Sequence, residues 1–259
     1  MIAWRRLPAP PGYTREWLDG DRELVVLRTA IAPVREAMRE GTLYDFAAHA
    51  PETRAMRGRG TAYAVELPDG GPRVVIRHSR HGGLLAGITG DRFVAPTRAP
   101  RELRTVLRLT RLGVPTPELV AYATYPAGGV LRRADIATRA IEGGRDLGAL
   151  LADTSPGTER EASWRAVARL IARMSDTGVR HPDLNAGNVL LAPDDNGDVD
   201  AWLLDVDRVW FDRAGEPRVL DANLRRLLRS ARKWRDLRGA QVDEAELHAL
   251  ARDARDAAA

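Results

Sequence analysis

His181-Pro182-Asp183-Leu184-Asn185-Ala186-Gly187-Asn188-Val189-Leu190-Leu191 is the stretch whose reading decides the fold. An acid, Asp183, is followed five positions later by an amide, Asn188, which runs straight into an apolar strand. The spacing suits chemistry at a phosphate. A carboxylate at Asp183 would orient an acceptor hydroxyl and take its proton. Asn188, one short loop away, would offer a neutral oxygen to a magnesium ion bridging nucleotide phosphates, and magnesium prefers hard oxygen ligands.

A second acid makes this more than one loop. Pro193-Asp194-Asp195-Asn196-Gly197-Asp198 is rich in turn formers and precedes the strand Ala201-Trp202-Leu203-Leu204, which ends in Asp205-Val206-Asp207. A hairpin there would carry Asp205 back beside Asn188 as a second metal ligand. Asp, Asn and Gly are ordinary turn residues, so either loop alone would pass for a connection without chemistry. Together, in this order and with a hairpin between them, they match the pattern of the catalytic loop and metal-binding acid of the protein-kinase-like fold. Val206 and Asp207 stand where that fold's Asp-Phe-Gly motif has Phe and Gly, so the metal ligand is kept and the regulatory part is not.

Upstream, Gly58-Arg59-Gly60 runs into the alternating strand 61–67, and the turn Pro68-Asp69-Gly70-Gly71 follows. Gly58 and Gly60 would let backbone amides approach the phosphates of ATP without a Cβ in the way. Arg73-Val74-Val75-Ile76-Arg77 then aligns with the kinase strand-three pattern Val-Ala-Ile-Lys and puts Arg77 in the lysine position. Arginine can hold phosphate oxygens with two donors, in a more rigid geometry than lysine. Glu102 opens a helix with Leu103, Val106, Leu107 and Leu109 on roughly one face, and it would pair with Arg77. Between them, Arg80, His81 and Arg92 sit in a glycine-bearing segment read as an anion-binding rim for the acceptor.

The 259 residues suffice for one large domain or two small lobes around a cleft. Apolar residues are 44% and charged residues 29%, a globular composition, and no run approaches the ~18 apolar residues of a membrane span. The N-terminus lacks the apolar core of a signal peptide, so a cytoplasmic location is expected. With no cysteine, disulfides and thiolate metal sites are excluded. The net charge of +4 is modest, and no nucleic-acid partner is expected.

The boundary of the two lobes is placed at Ile141, before Glu142-Gly143-Gly144: 1–141 forms a sheet-containing N-lobe with an N-terminal extension, and 142–259 a short, mainly helical C-lobe. This is an α+β, protein-kinase-like fold. Only about fifty residues follow Asp205, too few for a protein kinase's peptide platform, so a small-molecule or lipid acceptor is expected. The last strong helix has Leu220, Leu224, Leu227, Leu228, Ala231 and Trp234 on one face and Arg225, Arg226, Arg229, Arg232, Lys233 and Arg235 elsewhere. Its apolar face belongs in the core, and its basic face would suit peripheral contact with an anionic membrane.

At this point the chain resembles the bacterial lipopolysaccharide kinase family, above all its 3-deoxy-D-manno-octulosonic acid (Kdo) kinase branch. Val75-Ile76-Arg77-His78-Ser79-Arg80-His81-Gly82-Gly83-Leu84 is similar to that branch's Leu-Arg-His-Tyr-Arg-Arg-Gly-Gly-Leu, and Gly90-Asp91-Arg92-Phe93 to its Gly-Asp-Arg-Tyr. Gly113-Val114-Pro115-Thr116-Pro117, Leu204-Asp205-Val206-Asp207-Arg208 and the run from Asn223 to Ser230 also match. Ser79, His81 and Val206 depart from the pattern. The resemblance implies ATP-dependent phosphorylation of a hydroxyl of the Kdo sugar on a lipid A precursor, an anionic lipid-linked acceptor, at the cytoplasmic face of the inner membrane. The residues alone also fit a core-heptose kinase, another small-molecule kinase of the same fold, or an inactive kinase-like scaffold, which the substitution at Arg77 would support.

Overall fold

Alternating apolar residues and tight turns build the first of two compact units, Met1–Arg104 with Glu118–Ala140, in the computed structural model, which describes residues 8–57, 60–79, 93–153 and 158–258. Its elements are β1 (Tyr13–Leu18), β2 (Arg22–Leu27), α1 (Ile31–Ala37), α2 (Leu43–His49), β3 (Arg54–Arg57), β4 (Thr61–Glu66), β5 (Arg73–His78), β6 (Phe93–Val94), the N-terminal half of α3 (Ala99–Arg111), β7 (Leu119–Pro126) and β8 (Leu131–Arg139). The strands pair antiparallel in the order β1-β2-β7-β8-β5-β4-β3, with β6 on β8. Because successive strand residues point to opposite faces, Val74 and Ile76 of β5 enter a core with Val34, Met38 and Leu43 of the α1–α2 segment, while Arg77 projects from the other face.

A buried carboxylate ties α2 to this sheet. Asp135 of β8 is fully buried and accepts from the Tyr44 N–H at 3.0 Å, and its Oδ1 lies 2.5 Å from Nδ1 of His78. The Tyr44 ring stacks on the His78 ring with centroids 3.6 Å apart. Burial of a carboxylate is tolerated because these partners satisfy it. The end of β5, next to Arg77, is thereby fixed.

The second unit comprises Thr105–Pro117 and Ile141–Ala259. The C-terminal half of α3 and the Gly113–Pro117 run, which the sequence analysis placed within 1–141, therefore group with the later residues. The unit is mainly helical, with α4 (Leu147–Ala152), α5 (Thr158–Asp176), α6 (Pro217–Arg238) and α7 (Glu244–Asp256). β9 (Arg145–Asp146), β11 (Val189–Pro193) and β12 (Val199–Leu203) form one small sheet, and β10 (Val179–Arg180) pairs with β13 (Trp210–Phe211).

Sheet-bearing first unit and helical second unit together form the α+β, protein-kinase-like fold expected from the catalytic loop. Helix α7 was not foreseen. It begins with a capping box between Asp243 and Glu246, and Glu246 also binds Arg160 at 2.7 Å and the Trp164 indole at 3.0 Å on α5.

Candidate active site

The expected hairpin is present: β11 and β12 pair antiparallel with Val189 opposite Leu203. Leu204 donates its N–H to the Asn188 carbonyl at 2.9 Å, which brings the chain entering Asp205 alongside Asn188. The Gly113–Pro117 run clamps the same place. Pro115 accepts from the Leu203 N–H at 2.8 Å, and Thr116 Oγ1 donates to the Leu203 carbonyl at 2.9 Å. Asp205 then turns the chain in the left-handed region, with φ 55° and ψ 50°, a conformation in which Asp and Asn are enriched among non-glycine residues.

The 183–188 loop is held by its own amides. The Asp183 carbonyl accepts from Asn185 Nδ2 at 2.7 Å and from Asn188 Nδ2 at 3.1 Å. Since a carbonyl can only be faced by the amide nitrogen, this fixes the orientation of the Asn188 side chain and turns its oxygen the other way. Among the described residues Asn188 Oδ1 has no protein partner. The Asp183 carboxylate is ion-paired through Oδ2 to Nη1 of Arg208, on the 3-10 turn that follows Asp205.

His181 fixes the loop from beneath. Its ring is buried; Nδ1 accepts from the Asp183 N–H at 3.2 Å and Nε2 donates to the Leu204 carbonyl at 3.2 Å. These two bonds require the neutral imidazole with its proton on Nε2. Burial is the main cause that holds the imidazole below its ordinary pKa, against the Leu204 carbonyl and the Asp205 and Asp183 carboxylates, which pull upward.

Helix α6 supplies two latches. Fully buried Asn223 accepts from the His181 N–H at 3.1 Å and donates to the Val179 carbonyl at 2.9 Å. Ser230 Oγ accepts from the Ala186 N–H at 3.1 Å. Gly178 lets the chain turn from α5 into β10: its φ is +70°, and a Cβ there would meet the Asp212 carbonyl oxygen at 2.3 Å.

In the first unit, Arg77 Nη2 lies 2.6 Å from Glu102 Oε1, and the Glu102 side chain is 4% exposed against 29% for Arg77. The expected contact between Arg77 and Glu102 is thus formed within that unit. Gly60 lies in the bend before β4. Gly58 and the three acceptor candidates Arg80, His81 and Arg92 lie outside the described residues. Sequence reading missed His181, Asn223, Ser230 and Arg208 as parts of the site. The Asn223–Ser230 run was noticed, but nothing in its spacing says which loop it holds.

A family model described as the lipopolysaccharide kinase (Kdo/WaaP) family matches residues 49–252. A 3-deoxy-D-manno-octulosonic acid kinase of Stenotrophomonas maltophilia (strain K279a) is 38% identical over 188 residues, 71% of this chain and 71% of that protein. The kinase of that name from Xanthomonas oryzae pv. oryzae (strain PXO99A) is 36% identical over 72% of both chains. One from Haemophilus influenzae (strain PittEE) is 36% identical over 62% of this chain and 65% of its own length. Among solved structures, WaaP in complex with acyl carrier protein matches over 90% of this chain and 98% of that one, at 22% identity and a TM-score of 0.49.

Proposed function

The chain belongs to the lipopolysaccharide kinase (Kdo/WaaP) family, and from that premise we propose that it transfers the γ-phosphoryl group of ATP to a hydroxyl of the Kdo sugar on a lipid A precursor. The acceptor oxygen bonds to the γ-phosphorus, the bridge to the β-phosphate breaks, ADP leaves, and the hydroxyl proton passes to Asp183. The observation that carries the reading is the loop itself: Asp183, Asn188 and the chain entering Asp205 are brought to one place by the bonds to the Asp183 and Asn188 carbonyls.

Asn188 Oδ1 and the Asp205 carboxylate fit magnesium, which binds to one or two protein oxygens plus substrate phosphates. Bound there, it would neutralise phosphate charge. Arg77, paired with Glu102, would hold phosphate oxygens through its guanidinium, and Gly58 and Gly60 would offer backbone amides to them. Arg80, His81 and Arg92 are proposed to face the acceptor's anionic groups. ATP consumption measured over a panel of Kdo-lipid, heptosylated lipid, aminoglycoside and protein acceptors tests the reading. Turnover confined to the Kdo-lipid is expected, and turnover only with another member overturns it.

A lipid-linked acceptor requires the enzyme to work at a membrane surface. No helix among the described residues is long and apolar enough to cross one. The exposed face of α6 offers peripheral contact with the cytoplasmic face of the inner membrane: Arg225, Arg229 and Lys233 follow one another at helical four-residue spacing, with Leu237 70% exposed beyond them. Neighbouring Arg232 and Arg235 are instead paired with Glu244 at 2.8 and 2.9 Å. Each basic residue near an anionic surface contributes about 1 kcal/mol, so replacing all three by Ala should weaken cosedimentation with phosphatidylglycerol vesicles about 100-fold. Equal binding to phosphatidylcholine vesicles would remove this contact.

A further inference from the structure

The carboxylate read as the base carries a cation that proton transfer does not require. Arg208 follows Asp205 by three residues, and its Nη1 donates to Asp183 Oδ2. Its side chain is 55% exposed and that of Asp183 36%. A pair so open to solvent contributes only about 0–1 kcal/mol, so folding stability gives little reason for it. One arm of the guanidinium is engaged. Among the described residues its Nε and Nη2 have no protein partner, while the planar fork offers five N–H donors in all.

Those remaining donors lie within one guanidinium's width of the oxygen pair that would address the acceptor hydroxyl. In phosphoryl transfer the attacking and leaving oxygens are roughly in line on opposite sides of the phosphorus. A cation bound to the base therefore stands on the acceptor's side. The contact is also easily shared, since an exposed ion pair can exchange one carboxylate for another at little cost.

We propose that Arg208 is an acceptor-binding residue that recognises a sugar carboxylate beside the hydroxyl deprotonated by Asp183. The inference rests on the Kdo reading above, because an octulosonic acid carries its carboxylate on the same ring as its hydroxyls. Arg208 would pair with that carboxylate through its fork while keeping Asp183 turned toward the hydroxyl. Acceptors lacking the acid would leave the fork without its ligand.

Steady-state kinetics of the full chain with a Kdo-lipid and with its carboxylate methyl ester test this. The wild type should prefer the acid by about 10- to 100-fold in kcat/KM, the size of a hydrogen-bonded contact to a charged group. Arg208→Ala should lose most of that preference, with the KM for ATP unchanged, and Arg208→Lys, a point charge without a fork, should retain part of it. Melting curves would establish that both variants fold. An equal loss on acid and ester would reduce Arg208 to positioning Asp183, a raised KM for ATP would assign it to the nucleotide, and an intact preference would remove it from recognition; each overturns the proposal while the Kdo reading stands. A wild type that turns over neither Kdo compound but phosphorylates another acceptor overturns the functional reading, and this inference with it.

Discussion

In the first unit, Arg77 is oriented by a side-chain contact, 2.6 Å from a carboxylate on a helix 25 residues away. In the second, the loop that carries Asp183 and Asn188 is held through backbone groups: the Asp183 carbonyl receives two amide side chains, its N–H is bonded to His181, and the chain approaching Asp205 is bonded to Asn188. The two constructions tolerate change differently. A side-chain pair can be altered while the fold beneath it stays, whereas a loop held through several of its own carbonyls and amides transmits a substitution to its whole geometry. The residue in the lysine position has changed to Arg77, while Asp183, Asn188 and Asp205 keep the kinase pattern.

The largest expected effect is on the loop side chain proposed to act on the substrate. Asp183→Asn keeps the shape and the carbonyl that receives Asn185 and Asn188, yet removes the proton acceptor, so kcat should fall by about 10² to 10⁴-fold with ATP binding and melting temperature nearly unchanged. Wild-type turnover in a fully folded variant would take Asp183 out of the chemistry.

Next comes the latch beneath the loop. Asn223→Ala leaves the buried Val179 carbonyl and His181 N–H without their partner, at about 1–3 kcal/mol for each stranded group. At about 2–4 °C per kcal/mol in a domain of this size, a thermal shift assay should show a loss of several degrees, accompanied by reduced turnover. Arg77→Ala combined with Glu102→Gln should do the reverse. It removes the cation proposed to hold phosphate without stripping a charged, buried Glu102 of its Arg77 partner, so kcat/KM for ATP should drop about 10- to 100-fold while the melting temperature moves less than in Asn223→Ala. If this double variant proves the more destabilising of the two, the contrast between the units fails.

These differences also mark what could be read without a structure. Asp183, Asn188 and Asp205 were legible because their relation is local: five residues of loop and one short hairpin set it. The Arg77–Glu102 pair was legible because β5 and α3 each carried a recognisable pattern with one charged residue at the right place. Asn223 and Ser230 were not, since a buried amide on an apolar helix face looks like any other polar interruption until the strand it serves is known. Arg208 followed Asp205 in plain view, but its contact with Asp183 depends on the left-handed turn at Asp205, which a sequence does not announce. Helix α7 escaped for a different reason. Its core face is Leu247, Leu250, Ala251 and Ala254, a weak apolar signal, although the Asp243 and Glu246 capping residues would have located its start.

The smallest expected effect concerns pH and the His181 ring that joins the loop to the Asp205 strand. Its neutral form is required because Nδ1 accepts the Asp183 N–H, and burial lowers its pKa in the folded chain. An unfolded histidine titrates near about 6.5, so as the pH falls through that value the unfolded state binds the proton first and the folded state loses stability. The loss accumulates between about 6.5 and the lowered folded value and is then complete; above about 6.5 this group has no effect. His181→Asn should be less stable than the wild type at neutral pH, through lost packing and hydrogen bonding, but it has no imidazole to titrate at this position. The gap in melting temperature between the two should therefore narrow as the pH is lowered from 7.5 to 5, with His49, His78, His81 and His248 common to both and cancelling in the difference. A gap that stays constant across that range would mean that His181 protonates as readily folded as unfolded, and that the loop is not held by a neutral ring.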